Sequence, residues 1–241
     1  MTAISHSPSL SVSSPVISQS IQTICSAGAF DKVTPNNGGC GPLQSIRAGR
    51  LELMAILPIT ICGEPVLHRP AAPVTEFDAE LRTLVDNMFE TTVAAPGVGL
   101  AAPQVGVGQR IFVWIYEDQD EAPAEGVAIN PELWIAPLEP GLPEEDEVEG
   151  CLSFPGERFA LRRSSRALLR AQDIDGKPFE VEASGWFARI MQHEFDHLNG
   201  LLYVDRLVHP ENRAAQKIQR KRGWGVPGLT WMPGLDDLEG E

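Results

Sequence analysis

The segment MQHEFDHLNG, residues 191–200, places two histidines four positions apart with a glutamate directly after the first. In an α-helix, where successive residues are rotated by about 100°, His193 and His197 lie about 40° apart and can hold one ion together. Glu194 is rotated by about 100° from His193, so its carboxylate can reach over the open side of that ion. The segment therefore predicts a helix that carries either a metal centre or a set of hydrogen-bonded core histidines.

Apolar residues lie on both sides of this helix, which we expect to begin near Ser184 and to end at Gly200. Trp186 and Ile190 share the face of the histidines. The opposite face carries Phe187, Met191, Phe195 and Leu198. A helix that is apolar all round is buried, and buried imidazoles and carboxylates are costly unless they bind something. A metal centre would meet that cost, but it needs a third ligand.

The third ligand can be sought on either side of the helix. Downstream, His209 falls too late for the H-x-x-G-x-x-H spacing of metal-dependent proteases, and Asp205 has no motif around it. Upstream, Cys151 lies in the glycine-flanked segment EGCLS. A single cysteine is more often a small buried hydrophobic residue than a ligand, so Cys151 needs support from other segments.

Three segments give that support, because in this order they resemble the signature motifs of the peptide deformylases. They are GVGLAAPQ (97–104), EGCLS (149–153) and QHEFDH (192–197). The resemblance spans about residues 54–206. It implies hydrolysis of the N-formyl group from the N-terminal formyl-methionine of newly made polypeptides in bacteria or organelles, with release of formate. It also implies one divalent ion, ferrous iron (Fe2+), replaceable by zinc (Zn2+) or nickel (Ni2+).

The resemblance also implies the roles of individual residues. The implied metal ligands are Cys151, His193 and His197. Glu194 would act as general acid and base, and the Gln104 side chain with the Leu152 amide would donate to the oxyanion. A Cys-His-His set leaves one coordination position open, which is typical of a catalytic rather than a structural site.

Substrate contacts are expected from the glycine-rich segment and from the histidine face of the helix. Gly97 and Gly99 would let an extended peptide approach the backbone and pair with it. Val98, Trp186 and Ile190 would line an apolar pocket for the methionine side chain. Ordinary core packing of these apolar residues is the alternative.

Two charged residues near these motifs, Arg163 and Asp196, each admit a role in the site. Arg163 matches a family position near the downstream part of the substrate, and a solvated surface arginine is the alternative. Enterobacterial members carry a glutamate just before the GxG motif, where this chain has Pro96, so an ion pair from that position to Arg163 is absent. Asp196 could orient one of the ligands from behind.

The rest of the sequence predicts an α+β fold, in which antiparallel or mixed β-sheets surround the buried C-terminal metal-binding helix and an N-terminal helix is added. Residues 78–92 show helical apolar spacing, with Asp78 as the N-cap. Segments 110–116 and 126–133 are typical of strands, and a hairpin is expected to turn at Asp175–Gly176. Helices and strands are segregated along the chain rather than alternating.

The chain divides into three parts. Residues 1–53 begin with a stretch rich in Ser and Thr and lack sustained periodicity, so we expect a disordered extension, or an upstream mis-start before Met54. Residues 54–208 would form the deformylase catalytic domain. Residues 209–241 would form a basic helix and an irregular tail.

Charge and cysteine content limit the partners. Against 19 basic residues stand 33 acidic ones, a formal net charge of −14, which argues against DNA binding by the whole surface. No apolar run is long enough for a membrane span. Four widely separated cysteines favour a reducing compartment, the bacterial cytoplasm. The basic cluster in 212–225 predicts either a solvated helix or a contact with ribosomal RNA.

Two other functions stay open on the sequence alone. The first is a zinc metallopeptidase of the HExxH type, which would need a downstream third ligand and would make Cys151 dispensable. The second is a non-catalytic metal-binding homologue. Glu194 and Gln104 argue against the second, because a structural metal site needs neither a base nor an oxyanion donor.

Overall fold

The computed structural model describes residues 55–116, 125–138, 140–144 and 146–236. The expectations for residues 1–53 and for a start of the fold at Met54 lie outside these residues. The helices within the described ranges are α1 (Ala79–Ala94), α2 (Gly185–Leu198) and α3 (Glu211–Arg222). The strands there are β1 (Ile59–Thr60), β2 (Gly99–Ala101), β3 (Ile111–Ile115), β4 (Glu125–Ile135), β5 (Val148–Cys151), β6 (Phe154–Ala160), β7 (Arg166–Gln172), β8 (Pro178–Ser184) and β9 (Thr230–Trp231).

The main sheet has five strands in the order β2-β3-β4-β7-β8, and all neighbours are antiparallel. Two further antiparallel pairs, β5-β6 and β1-β9, stand apart from it. This arrangement confirms the α+β prediction. Because β2 is the first strand in the order, it forms one edge of the main sheet, and this edge includes the glycine-rich motif.

Helix α1 forms where the apolar spacing predicts it. The Asp78 carboxylate accepts the backbone N–H of Leu81 at 2.9 Å, which confirms the N-cap. Leu81, Val85 and Met88 are buried against the core. After the helix, the Gly97 N–H donates to the Thr92 carbonyl at 3.1 Å, so the end of α1 holds the start of the glycine-rich motif.

The predicted hairpin leads directly into α2, the helix that carries His193 and His197. Strands β7 and β8 pair along their whole length, and Gly176 takes a positive φ of 77° in the turn between them. Ser184 ends β8 and is also the N-cap residue of α2. At the other end Gly200 has a φ of 75°, and a Cβ there would lie 2.7 Å from the Arg69 nitrogen, so only glycine fits this C-terminal position.

Helix α2 is buried, as its sequence predicts. Eleven of its 14 residues are buried, including both histidines and Glu194. Phe187, Met191 and Leu198 pack in the apolar cluster that contains Phe112 and Trp114 of β3. The main sheet therefore covers one face of the helix, and the polar residues are directed to the other.

The C-terminal segment departs from the expected irregular tail. Thr230–Trp231 pairs with Ile59–Thr60 as an antiparallel strand, and Trp231 is only 3% exposed. A side chain as large as an indole stabilises a short strand through the apolar surface that it buries. In the described part of the chain, none of the helices has the length and apolar character needed to cross a membrane.

Candidate active site

The three expected metal ligands converge. Cys151 ends β5, and its Sγ lies 3.3 Å from Nε2 of His197. That nitrogen is 3.3 Å from Nε2 of His193, and the three donor atoms lie within 4.8 Å of one another. Donors bound to one tetrahedral ion at about 2.0–2.3 Å stand about 3.3–3.8 Å apart, so this set fits a single ion such as iron, zinc or nickel.

Glu149 fixes the orientation of one ligand. Its Oε1 lies 2.6 Å from Nδ1 of His193, which leaves Nε2 of that ring facing Cys151 and His197. A metal-binding histidine commonly donates its other nitrogen to a carboxylate in this way. Glu149 was not among the residues expected from the sequence to act in the site, although this general rule and its position in EGCLS could have indicated it.

A buried ion-pair network lies behind Glu149. Arg163 donates to both Glu149 oxygens, at 2.6 and 3.0 Å, and to Asp196 at 2.6 Å. Arg189 also donates to Glu149, at 3.1 Å. Burial by itself would raise the pKa of the Glu149 carboxyl, but the hydrogen bonds and charges of His193 and Arg163 outweigh it and hold the pKa well below its usual range.

Neither expectation for Arg163 agrees with this position. Its side chain is 6% exposed, so it is not a solvated arginine, and it is not among the residues that line the cavity beside the ligands. Two buried carboxylates need a positive partner, and Arg163 supplies it. Arg158 lines the cavity instead; it pairs with Gly150 across the β5-β6 hairpin, a pairing that the sequence did not predict. Asp196 accepts from Arg163, which also binds Glu149, the carboxylate beside His193.

Glu194 is held in the site without a hydrogen bond to one of its oxygens. It is 4% exposed, and its Oε2 is buried without a hydrogen-bond partner among the described residues. A Cβ on Gly99 would lie 2.4 Å from its Oε1, so the carboxylate rests directly against the β2 backbone. Burial raises the pKa of the Glu194 carboxyl to about 7. Such a group can take up and release a proton near neutrality.

The His197 imidazole is held in its neutral form. Burial lowers the pKa of its imidazole well below the usual value, and the neighbouring His193 lowers it further. The neutral imidazole is the form that binds a metal ion. His197 is 1% exposed, so it lies deeper than His193.

Gln104 is positioned by its own turn. Its Oε1 accepts the Ala101 N–H at 2.8 Å, which directs Nε2 toward Cys151 Sγ at 3.8 Å and Ser153 Oγ at 3.4 Å. The side chain is 1% exposed. An amide N–H donor is therefore fixed beside the ligand thiol, where Leu152 follows in the chain.

A cavity of about 190 Å³ opens beside these groups. It brings together most of the expected site residues and leaves out Arg163 and His197. Its lining is Pro96, Gly97, Val98, Gly99, Gln104, Val148, Glu149, Gly150, Cys151, Leu152, Arg158, Trp186, Arg189, Ile190, His193 and Glu194. Val98 and Trp186 are about half exposed, whereas Ile190 is buried, so the apolar wall extends from the interior to solvent.

Known proteins are similar to this chain in sequence and in architecture. The profile of the polypeptide deformylase family matches residues 56–213. The peptide deformylase of Rhodococcus opacus is 48% identical over 186 residues, which cover 75% of this chain and 95% of the relative. The crystal structure of peptide deformylase from Thermus thermophilus is 40% identical, covers 69% of this chain and 94% of its own, and gives a TM-score of 0.60. The enzyme from Synechococcus elongatus, in complex with actinonin, is 34% identical, covers 77% and 100%, and gives 0.61.

Proposed function

The chain belongs to the peptide deformylase family, which removes the N-formyl group from nascent peptides, and we propose that Cys151, His193 and His197 hold the divalent ion of this hydrolase. The observation that carries the proposal is the convergence of the three donor atoms within 4.8 Å beside a cavity that Glu194 and Gln104 also line. When bound, the ion would activate a water molecule for attack and polarise the formyl oxygen.

We assign ferrous iron as the resident ion, with zinc or nickel able to replace it. A thiolate and two imidazoles form a donor set that all three ions accept. Glu149 prepares His193, since the Nε2 of that ring can carry a lone pair toward the ion when its Nδ1–H is donated to Glu149. Burial prepares His197 by lowering the pKa of its imidazole, which favours the neutral form.

Glu194 is the general acid and base of the proposed mechanism. It takes the proton of the attacking water and later delivers it to the departing amine nitrogen. A pKa of about 7 suits both directions, and such a step contributes about 10²–10⁴ in rate. Its contact with Gly99 places it at the strand where the substrate backbone would lie.

Gln104 Nε2 and the Leu152 N–H are the oxyanion donors. The Gln104 amide is already fixed by the Ala101 N–H, so it needs no rearrangement when charge develops on the formyl oxygen. One donor of this kind contributes about 2.7–4 kcal/mol to transition-state stabilisation.

The peptide would add to the free edge of the main sheet. Strand β2 is the edge strand, and Gly97 and Gly99 allow a second backbone to approach it. Val98, Trp186 and Ile190 then face the methionine side chain. A formyl group is the smallest acyl group, so a small cavity favours it over bulkier amides by sterics.

The decisive measurement is formate release from formyl-Met-Ala-Ser. Cys151→Ser should lose metal binding and activity together. A zinc endopeptidase that uses a downstream third ligand would instead keep both in that variant. A non-catalytic homologue would bind the ion in the unmodified chain and release no formate.

Two further assignments concern the surroundings of the enzyme. We propose that it works in the bacterial cytoplasm, and that helix α3 contacts the ribosome from which its substrates emerge. The basic residues Arg213, Lys217 and Arg220 are exposed and follow the helical spacing of one face. Such a stripe suits a phosphate backbone, although the chain as a whole is acidic.

A further inference from the structure

The segment after α3 contacts the chain immediately beyond the metal ligand Cys151. The Trp224 ring packs edge-to-face against the Phe154 ring, with the two centroids 4.9 Å apart. The indole N–H of Trp231 donates to the Leu152 carbonyl at 2.8 Å. The family profile matches residues 56–213, and both tryptophans lie beyond them. These two contacts are therefore made by a part of the chain outside that match.

Backbone hydrogen bonds tie the same segment to β1 and to the ligand loop. The Ile61 N–H donates to the Leu229 carbonyl at 2.9 Å, and the Gly225 N–H donates to the Cys62 carbonyl at 2.9 Å. The Cys62 N–H in turn donates to the Ser153 carbonyl at 2.8 Å. Trp231 is therefore held in place by the β1-β9 strand pair.

One peptide unit connects Trp231 to the thiol. The Leu152 carbonyl, which accepts from Trp231, and the Ser153 N–H belong to the same planar peptide group. That Ser153 N–H lies 3.4 Å from Cys151 Sγ, as a donor to it. Hydrogen bonds in series polarise one another, so the indole strengthens the N–H donor that faces the sulfur.

We propose that Trp231 is a positioning residue of the active site, which acts through the Leu152–Ser153 peptide on the electron density and direction of the Cys151 thiolate. The same restraint keeps Leu152 in place for its oxyanion role. This inference rests on the proposed function of the site. It predicts that the loss of one indole N–H, distant from the substrate, changes both the metal–sulfur bond and the chemical step.

The test is Trp231→Phe, which removes the N–H and keeps an aromatic ring. The protein is loaded with cobalt(II), and the thiolate-to-cobalt absorption is recorded beside kcat and KM. We expect a shifted absorption band, kcat lower by about 10-fold, the usual size for a residue that orients a metal ligand, and a KM within about 2-fold of the original. Trp134→Phe is the matched control, since Trp134 is a half-exposed indole on β4 and should leave the band and kcat unchanged.

An unshifted band with normal kcat in Trp231→Phe would overturn the proposal, even if the melting temperature fell, because that result is simple loss of packing. If the Phe variant does not fold, a benzothienyl-alanine at 231 removes the N–H at constant ring size, and the same two outcomes decide. Failure of the proposed function is seen separately, as the absence of formate release by the unmodified protein. The cobalt band still tests Trp231 in that case.

Discussion

The buried position of the Glu194 carboxylate lowers the free energy of unfolding of the chain at neutral pH. A buried carboxyl with a pKa near 7 binds a proton in the folded chain that the unfolded chain has already released. The folded-state pKa is raised above the ordinary value of 4.5, so stability falls as the pH rises through the window from 4.5 to about 7.

Glu194→Gln should therefore give an inactive but more stable protein. A shift of this size corresponds to about 3 kcal/mol at neutral pH, and the variant should lose the decline in stability between pH 5 and 7. The measurement is the free energy of unfolding by denaturant at several pH values, with a chelator present in both proteins. A variant that is no more stable than the parent at pH 7.5 would contradict the assigned burial cost.

Gly99 is the residue on which the position of Glu194 depends most directly. A methyl group there would lie 2.4 Å from the carboxylate oxygen, so Gly99→Ala should displace Glu194 and lower kcat by about 100-fold, within the range for a misplaced catalytic group. Gly108→Ala is the control, because its Cβ would meet only Val66, at an ordinary 3.6 Å. Equal kcat values for the two variants would show that the contact with Gly99 does not hold the carboxylate.

Among the elements of the fold, β5 and α2 together carry the candidate metal ligands. Glu149 on β5 meets His193 and Arg189 of α2 as well as Arg163. Removal of one partner from a buried ionic network leaves the other charges unpaired, which costs about 3–5 kcal/mol.

Glu149→Gln should destabilise the fold and weaken metal affinity by about 10–100-fold, because the neutral amide neither balances the arginines nor orients the imidazole as well. Chelator competition for zinc and thermal melting measure the two effects. Glu180→Gln serves as the control, since Glu180 pairs with Arg170 on the surface, where both side chains are about half exposed and the pair contributes little. An unchanged zinc affinity in Glu149→Gln would show that Glu149 does not help His193 to bind the metal ion.

The elements that were predictable are those with local signals. The cap at Asp78, the turn at Asp175–Gly176 and the glycine at 200 each act within a few residues, and the structure confirms all three. The pairs β5-β6 and β1-β9 were not predicted. In β1-β9, Ile59 pairs with Trp231, and nothing local to either residue specifies a partner that distant.

The chain as a whole is acidic, but helix α3 carries a group of exposed basic residues that we propose contacts the ribosome. Reversal of the exposed basic residues Arg213, Lys217 and Arg220 to Glu should weaken co-sedimentation with ribosomes, and the difference from the parent should be largest at low salt and shrink as the salt concentration rises. Reversal of Arg82, an exposed arginine on α1, is the control. If ribosomes pellet the α3 variant as well as the parent, the helix is only a solvated surface.

Three short motifs were enough to identify the family of this chain, because each is contained within a few residues. The expected Cys-His-His donor set, base and amide donor followed from that resemblance. The surroundings of these residues became visible in the folded chain alone. The fold placed Arg163 behind the site rather than in the cavity, brought Arg158 to the cavity wall, and carried Trp231 to the Leu152 carbonyl. The contacts of Arg163 with Asp196 and of Trp231 with Leu152 join residues that are distant in the chain, and the free energy that selects them comes from burial and long-range pairing, which no local pattern encodes.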